Sequence, residues 1–73
     1  MIDVTASRDG EIREIAIRVG DVVRKNQELM LIGSHELSTL ILAVATGRIE
    51  NIPVKVGDKV KSGQVLVTID SQQ

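Results

Sequence analysis

The stretch that decides the fold is Gly10-Glu11-Ile12-Arg13-Glu14-Ile15, because its pattern returns 37 residues later (47 minus 10) as Gly47-Arg48-Ile49-Glu50-Asn51-Ile52. Each stretch is followed by the same kind of turn, Val19-Gly20-Asp21 in the first copy and Val56-Gly57-Asp58 in the second. Without a gap, the offset also superimposes Gln27, Leu29 and Ile32 on Gln64, Leu66 and Ile69. Internal repetition of this kind indicates duplicated structure. We interpret the two copies as half-domains related by a pseudo-twofold axis.

The composition is that of one small globular domain with an aliphatic core. The chain has 73 residues, of which 42% are hydrophobic and 26% charged, and it has no aromatic residue and no cysteine. We therefore expect a single domain over residues 1–73, without disulfides or thiolate metal sites. The net charge of −1 gives no electrostatic reason to bind nucleic acid, and no aromatic ring is present on which single strands could stack.

The apolar stretches are too short for a membrane helix, which needs roughly 20 residues. The longest, Leu40-Ile41-Leu42-Ala43-Val44-Ala45, has the length of a strand. The N-terminus lacks the basic segment and apolar core of a secretory signal. We expect no direct membrane insertion, and a cytoplasmic location if the chain is complete.

Alternation of apolar and polar residues predicts short β-strands. It runs through residues 2–6 and 15–19, where Ile15, Ile17 and Val19 share the inner side. Further short strands are expected at residues 22–23, 29–32, 59–60 and 65–69. Short strands with frequent turns indicate a small antiparallel sandwich or flattened barrel.

A helix over residues 36–45 is the competing interpretation of the middle of the chain, since Leu37, Leu40, Ile41 and Val44 have helical spacing. The offset, however, places Ile41 on Val4, which is a strand position. We therefore predict a strand here and no helix in the chain.

A repeated slip in the alternation predicts a β-bulge in each half. Ile12 precedes Ile15 by three residues, and Ile49 precedes Ile52 by three, so one residue in each stretch is out of step. Pro53 follows the second slip. Because proline has no N–H for a sheet ladder, it is expected at a sheet edge or beside the bulge.

Two pairs of equivalent residues predict tight turns. Gly20 and Gly57 lie in Gly-Asp dipeptides and can adopt a positive φ without steric cost. Asn26 and Gly63 occupy the same place in the two copies, and both residue types tolerate the left-handed region. We therefore expect a left-handed backbone at that place in each half.

The duplicated pattern resembles the biotinyl/lipoyl carrier domain family over roughly Ile2 to Asp70. The resemblance implies an all-β fold, a flattened barrel or sandwich of two small antiparallel sheets with pseudo-twofold symmetry. It also implies half-repeats at about 2–33 and 39–70, joined by a hairpin tip at 33–38. In this family the tip carries a lysine, within Glu-Ser-Asp-Lys or Ala/Ser-Met-Lys-Met, to which lipoate or biotin is attached.

The tip of this chain departs from the family motif. The family lysine lies eleven residues before the glycine of the second half, and counting back from Gly47 (47 minus 11) reaches Glu36. Only Ser34 of Gly33-Ser34-His35-Glu36-Leu37 matches, and no lysine lies from Asn26 to Val54. A carboxylate cannot replace the amine nucleophile of cofactor attachment, so we expect no biotin and no lipoate. The nearest lysines are expected in the repeat units, away from the tip: Lys25, Lys55, Lys59 and Lys61.

Ser34, His35, Glu36 and Leu37 form a candidate interaction tip. A metal site or an acid–base pair at His35 and Glu36 would need further groups from distant residues, so we favour a solvated turn and expect no metal. Ser34 lacks the partners of a catalytic triad. Leu37 and Leu40 are possible docking contacts, but we expect both to pack inward.

Three functions are compatible with these residues, and none of them is catalytic. The first is a non-acylated domain that acts as a protein-binding or structural module. The second is the lipoyl-like part of a membrane-fusion adaptor of an export system, which would be periplasmic. The third is a carrier domain of a biotin- or lipoate-dependent multienzyme complex whose attachment lysine has been replaced. The protein partner is not identified by the sequence.

Overall fold

The computed structural model describes residues 1–34 and 37–71, and the fold over these residues is all-β. The eight strands are β1 (Ile2–Thr5), β2 (Gly10–Ile15), β3 (Val22–Val23), β4 (Glu28–Gly33), β5 (Ser38–Leu42), β6 (Gly47–Asn51), β7 (Lys59–Val60) and β8 (Val65–Asp70). The strand predicted in the middle of the chain is therefore confirmed as β5. No helix long and apolar enough to cross a membrane occurs in the described ranges.

The strands form two antiparallel four-stranded sheets, in the orders β1-β8-β6-β3 and β5-β4-β2-β7. Strands whose numbers differ by four occupy equivalent places in the two sheets. Each sheet takes two strands from the first half of the chain and two from the second. The first half therefore completes neither sheet without the second.

Main-chain hydrogen bonds between the halves occur at equivalent residues. The Ile12 N–H donates to Asp58 O at 2.8 Å, and the Ile49 N–H donates to Asp21 O at 2.8 Å. The same 37-residue offset that relates the sequences (49 minus 12) thus relates the contacts.

The predicted turns and bulges are confirmed. The φ angles are 98° at Gly20, 95° at Gly57, 73° at Asn26 and 88° at Gly63. The register of β2 against β4 shifts between Ile12 and Glu14, and that of β6 against β8 shifts between Ile49 and Asn51. Pro53 lies two residues beyond the end of β6, beside the second bulge.

One aliphatic cluster lies between the sheets, and both sheets contribute to it. Its fully buried side chains are Ile12, Val23, Leu29, Met30, Ile49, Leu66, Val67 and Ile69. The inward prediction for Val19 is wrong, because its side chain is 61% exposed. Strand β2 ends at Ile15, and the Arg18 N–H donates to the Asp21 side chain at 2.9 Å. The chain is therefore already turning at Val19, and strand alternation no longer applies.

Candidate functional site

The tip is a tight hairpin between β4 and β5. Gly33 and Ser38 are the last paired residues of the two strands. Beyond them the Ser34 N–H donates to Leu37 O at 2.7 Å, and the Ser34 Oγ lies 3.3 Å from the same oxygen and 3.4 Å from the Leu37 N. Ser34 and Leu37 therefore close the hairpin immediately before and after residues 35 and 36.

Two of the four predicted tip residues can be placed. Ser34 and Leu37 are exposed, and the Ser34 hydroxyl is engaged by the Leu37 backbone. His35 and Glu36 lie outside the described residues, so the expectations for a metal, an acid–base pair and the attachment position stay predictions. Within 1–34 and 37–71 no cluster of three or more His, Cys, Asp or Glu side chains is placed to hold a metal ion.

The expectation that Leu37 and Leu40 pack inward is wrong, because they are 50% and 51% exposed. Ile41 takes the inward position on β5 and is 5% exposed. Successive side chains of a strand point to opposite faces, so Leu40 and Leu42 lie on the outer face. The sequence contained this signal, because the offset places Leu40 on the polar Asp3.

A groove of about 520 Å³ runs beside the tip, lined by residues of β2, β7, Gly33 and Ser34. A Cβ atom on Gly33 would overlap the Arg13 side chain, and one on Gly10 would lie 2.8 Å from Gly33 O. Glycine at these two positions therefore lets Arg13 and the backbone of β2 lie directly against the base of the tip. From the sequence, Arg13 is expected only as part of a solvated face of mixed charge, because no motif marks it as a site residue.

Lys59 and Lys61 line the same groove as Gly33 and Ser34. These two lysines therefore lie beside the groove that reaches the base of the tip, while they belong to the second repeat unit as expected. The cause is strand order, because Glu11 pairs with Lys59 on one side and with Gly33 on the other. Two strand spacings of about 4.8 Å separate β7 from β4.

The charges of the groove are mixed. Arg13 Nη1 lies 3.5 Å from Glu11 Oε1, with side chains 52% and 38% exposed. Exposed ion pairs of this kind contribute at most about 1 kcal/mol. The Asp9 carboxylate accepts the Ser62 N–H at 2.7 Å. The groove is therefore lined by lysine and arginine residues as well as by acidic ones, without a dominant sign of charge.

Comparisons with known proteins agree with this geometry. The family model described as biotin-requiring enzyme (biotin/lipoyl) matches residues 8–69. No curated protein sequence matches the chain.

Several solved structures are similar over nearly the whole chain. The lipoyl domain of the 2-oxoglutarate dehydrogenase complex from Azotobacter vinelandii is 25% identical with a TM-score of 0.82, and all of both chains is covered. Urea carboxylase from Kluyveromyces lactis is 22% identical with a TM-score of 0.87, over 94% of this chain and 6% of that one. Truncated AcrA from Campylobacter jejuni is 19% identical with a TM-score of 0.87, over all of this chain and 89% of that one.

The likenesses below 25% identity establish the fold alone. The chain spans 6% of urea carboxylase and 7% of a multi-domain long-chain acyl-CoA carboxylase. The family model, in contrast, matches most of the sequence, including both turns and both bulges. The chain belongs to the biotin/lipoyl family.

Proposed function

We propose that this chain is a biotin/lipoyl-type domain that is not acylated and acts as a protein-binding or structural module. The observation that carries the proposal is that counting eleven residues back from Gly47 reaches Glu36 and not a lysine. Attachment joins a cofactor carboxyl group to an amine, and a glutamate carboxylate cannot take that role. The hairpin therefore does not fit covalent biotin or lipoate.

The positions of the lysines support this proposal. The hairpin between β4 and β5 has no lysine, since none lies from Asn26 to Val54. Lys59 and Lys61 line the groove but belong to β7 and the turn after it, across β2 from β4. A ligase that reads the exposed hairpin of this family would not meet an amine there.

A protein partner is supported by the similar solved structures, in which this fold is one part of a larger protein. In urea carboxylase and the long-chain acyl-CoA carboxylase, the matching region is a small part of a long chain. We propose contact through the tip, by Ser34, His35, Glu36 and Leu37. Leu37 is half exposed beside Ser34, which offers one apolar contact next to a polar rim. No nucleic acid and no membrane insertion enter the proposal.

The test is co-expression with a biotin ligase and, separately, with a lipoyl ligase, followed by intact-mass measurement. The natural chain is expected to keep its unmodified mass with both enzymes. A biotinyl or lipoyl adduct on it would contradict the proposal. The variants Lys59→Arg and Lys61→Arg would then locate the adduct, because arginine keeps the charge without providing an acylatable amine.

The variant Glu36→Lys separates the alternatives. If the variant is acylated, the tip still has the geometry that a ligase reads, which favours a carrier domain whose lysine was replaced. If neither ligase modifies it, the tip has diverged to another contact, as a binding module or an export adaptor requires. We expect a cytoplasmic location if the chain is complete and a periplasmic location if it is the excised domain of an adaptor.

A further inference from the structure

Strand β5 forms one edge of its sheet, and in the part of the chain that the structure describes it pairs with β4 alone. Leu37 O accepts a hydrogen bond from the β4 side, and the Ala43 N–H donates to Gln27 O on that side at 2.8 Å. In an antiparallel ladder the main-chain groups of alternate residues point to opposite sides. The groups that point away from β4 are therefore those of Ser38, Leu40 and Leu42.

The outer face of β5 carries an apolar stripe, which we define as Leu40, Leu42 and Val44. Their side chains are 51%, 41% and 53% exposed. Three polar residues occupy the equivalent positions on and after β1, and they too are exposed: Asp3, Thr5 and Ser7.

The inner face does not differ in this way. Val4 and its equivalent Ile41 are 3% and 5% exposed, and Ala6 and Ala43 are 3% and 2% exposed. Packing thus keeps both edges alike on the inside, and the apolar change is confined to the face that β5 presents outward.

Charge also distinguishes β5 from the other edges. Residues 37–46 contain no ionisable side chain. Edge strands are commonly protected from pairing by charged side chains or by being very short. Asp3 lies on β1, and β3 and β7 have two residues each. Strand β5, with five residues, lacks both forms of protection.

We propose that β5 pairs with β5 of a second copy of this chain, antiparallel, about a twofold axis at Leu40. Ser38 and Leu42, whose main-chain N–H and C=O groups also point away from β4, lie two residues before and two residues after Leu40. In this register Leu40 faces Leu40 of the second copy, and Ser38 faces Leu42. Each of these pairs exchanges two hydrogen bonds. The contact is isologous, as is usual in homodimers.

A second copy is the occupant that the charges favour. Pairing β5 with itself brings no like charges together and unites the two apolar stripes on one face of an eight-stranded sheet. Pairing β1 with itself would place Asp3 carboxylates near one another. A strand of another protein would have to lack charged side chains in the same way. A second copy of β5 lacks them, because residues 37–46 contain no ionisable side chain.

The expected dimer is weak. Five residues of one strand bury less than the roughly 1,200 Å² of total area that stable interfaces exceed. Association should therefore depend on concentration. The inference does not depend on whether the chain is acylated, because it rests on Ser38, Leu40 and Leu42 and not on Glu36.

The test is sedimentation equilibrium of the full chain over a range of concentrations, from about ten micromolar to about one millimolar. The natural chain is expected to dimerise within this range. Leu40→Lys places two like charges opposite each other, which is destabilising in a sheet, and should raise the dissociation constant by about tenfold or more. Leu42→Lys should also raise it, whereas the matched control Thr5→Lys, at the equivalent place on β1, should leave it unchanged.

Amide hydrogen exchange of the natural chain supplies a second measurement that needs no variant. Between low and high concentration, exchange at Ser38, Leu40 and Leu42 should slow, while exchange at Thr39 and Ile41 should stay the same. A chain that remains monomeric throughout, a dimer that Leu40→Lys leaves intact, or protection without this alternation would each overturn the proposal. The last outcome would direct attention to another surface.

Discussion

Strands β1 and β5 occupy equivalent edges of the two sheets, but their outward side chains differ. Asp3 on β1 accepts a hydrogen bond from the Thr68 hydroxyl at 3.5 Å. At the equivalent place on β5, Leu40 pairs with Leu31. The inner residues of the two strands are equally buried. Close packing in the core constrains the inner residues of both strands, whereas the exposed outer residues are under no such constraint. Positions at which the two halves share a backbone but differ in side chain, such as Asp3 and Leu40, are therefore the places to look for function.

Turn contacts give a second example. The Lys25 N–H donates to the Thr46 hydroxyl at 3.2 Å, and at the equivalent place the Ser62 N–H donates to the Asp9 carboxylate at 2.7 Å. The same bond is made by different residue types. Each half thus provides an acceptor at this place, a hydroxyl in one case and a carboxylate in the other.

The largest effect is expected from the matched core variants Ile12→Ala and Ile49→Ala, whose native side chains are fully buried. Each should lower the free energy of unfolding by about 3 kcal/mol, because a large side chain leaves a cavity. Urea unfolding measures both. Val19→Ala and Val56→Ala, where the valines are each 61% exposed, are the controls and should change it by less than about 0.5 kcal/mol. If Ile12→Ala and Ile49→Ala lowered the free energy of unfolding by clearly different amounts, the two halves would not be equivalent in stability.

A smaller effect is expected at the place where the bulges differ. The Ala16 N–H donates to Leu29 O at 2.9 Å, and Pro53 stands at the equivalent position without a donor. Ala16→Pro should lower the free energy of unfolding by about 1–3 kcal/mol, because the buried Leu29 residue loses its donor. Pro53→Ala should change it by less than about 1 kcal/mol, mainly through the unfolded chain. Equal losses in the two variants would contradict this explanation, because Pro53→Ala removes no hydrogen-bond donor.

The smallest effect is expected at the turn carboxylates. Asp21 accepts the Arg18 N–H and Asp58 accepts the Lys55 N–H, each at 2.9 Å. Asp21→Ala and Asp58→Ala should each lower the free energy of unfolding by about 1 kcal/mol. Urea unfolding of the two variants measures both losses. A loss in one variant alone would mean that one turn is supported by contacts the other lacks.

Local features were predictable from the sequence because they depend on one or two residues. The slip between Ile12 and Ile15 predicted a bulge, and Asn26 opposite Gly63 in the repeat predicted a positive φ. Strand order was not predictable, because it depends on pairing between halves. That pairing is what brings Lys59 to the groove beside Gly33.

The candidate site was predictable only in part. The departure expected at Glu36 rests on counting residues back from Gly47 and stays a prediction, because residue 36 lies outside the described residues. The exposure of Leu40 was missed because leucine was assigned to the core by type, although the offset that places it on Asp3 indicated the outer face. Repeat position was the better guide than residue type.

The most direct test of the central claim is the intact mass of the chain isolated from cells that produce it naturally. An unmodified mass is predicted, because counting eleven residues back from Gly47 places a glutamate, Glu36, where the family is expected to carry its attachment lysine. A mass increased by one biotinyl or lipoyl group would contradict the account and would make the domain a working carrier modified at another lysine.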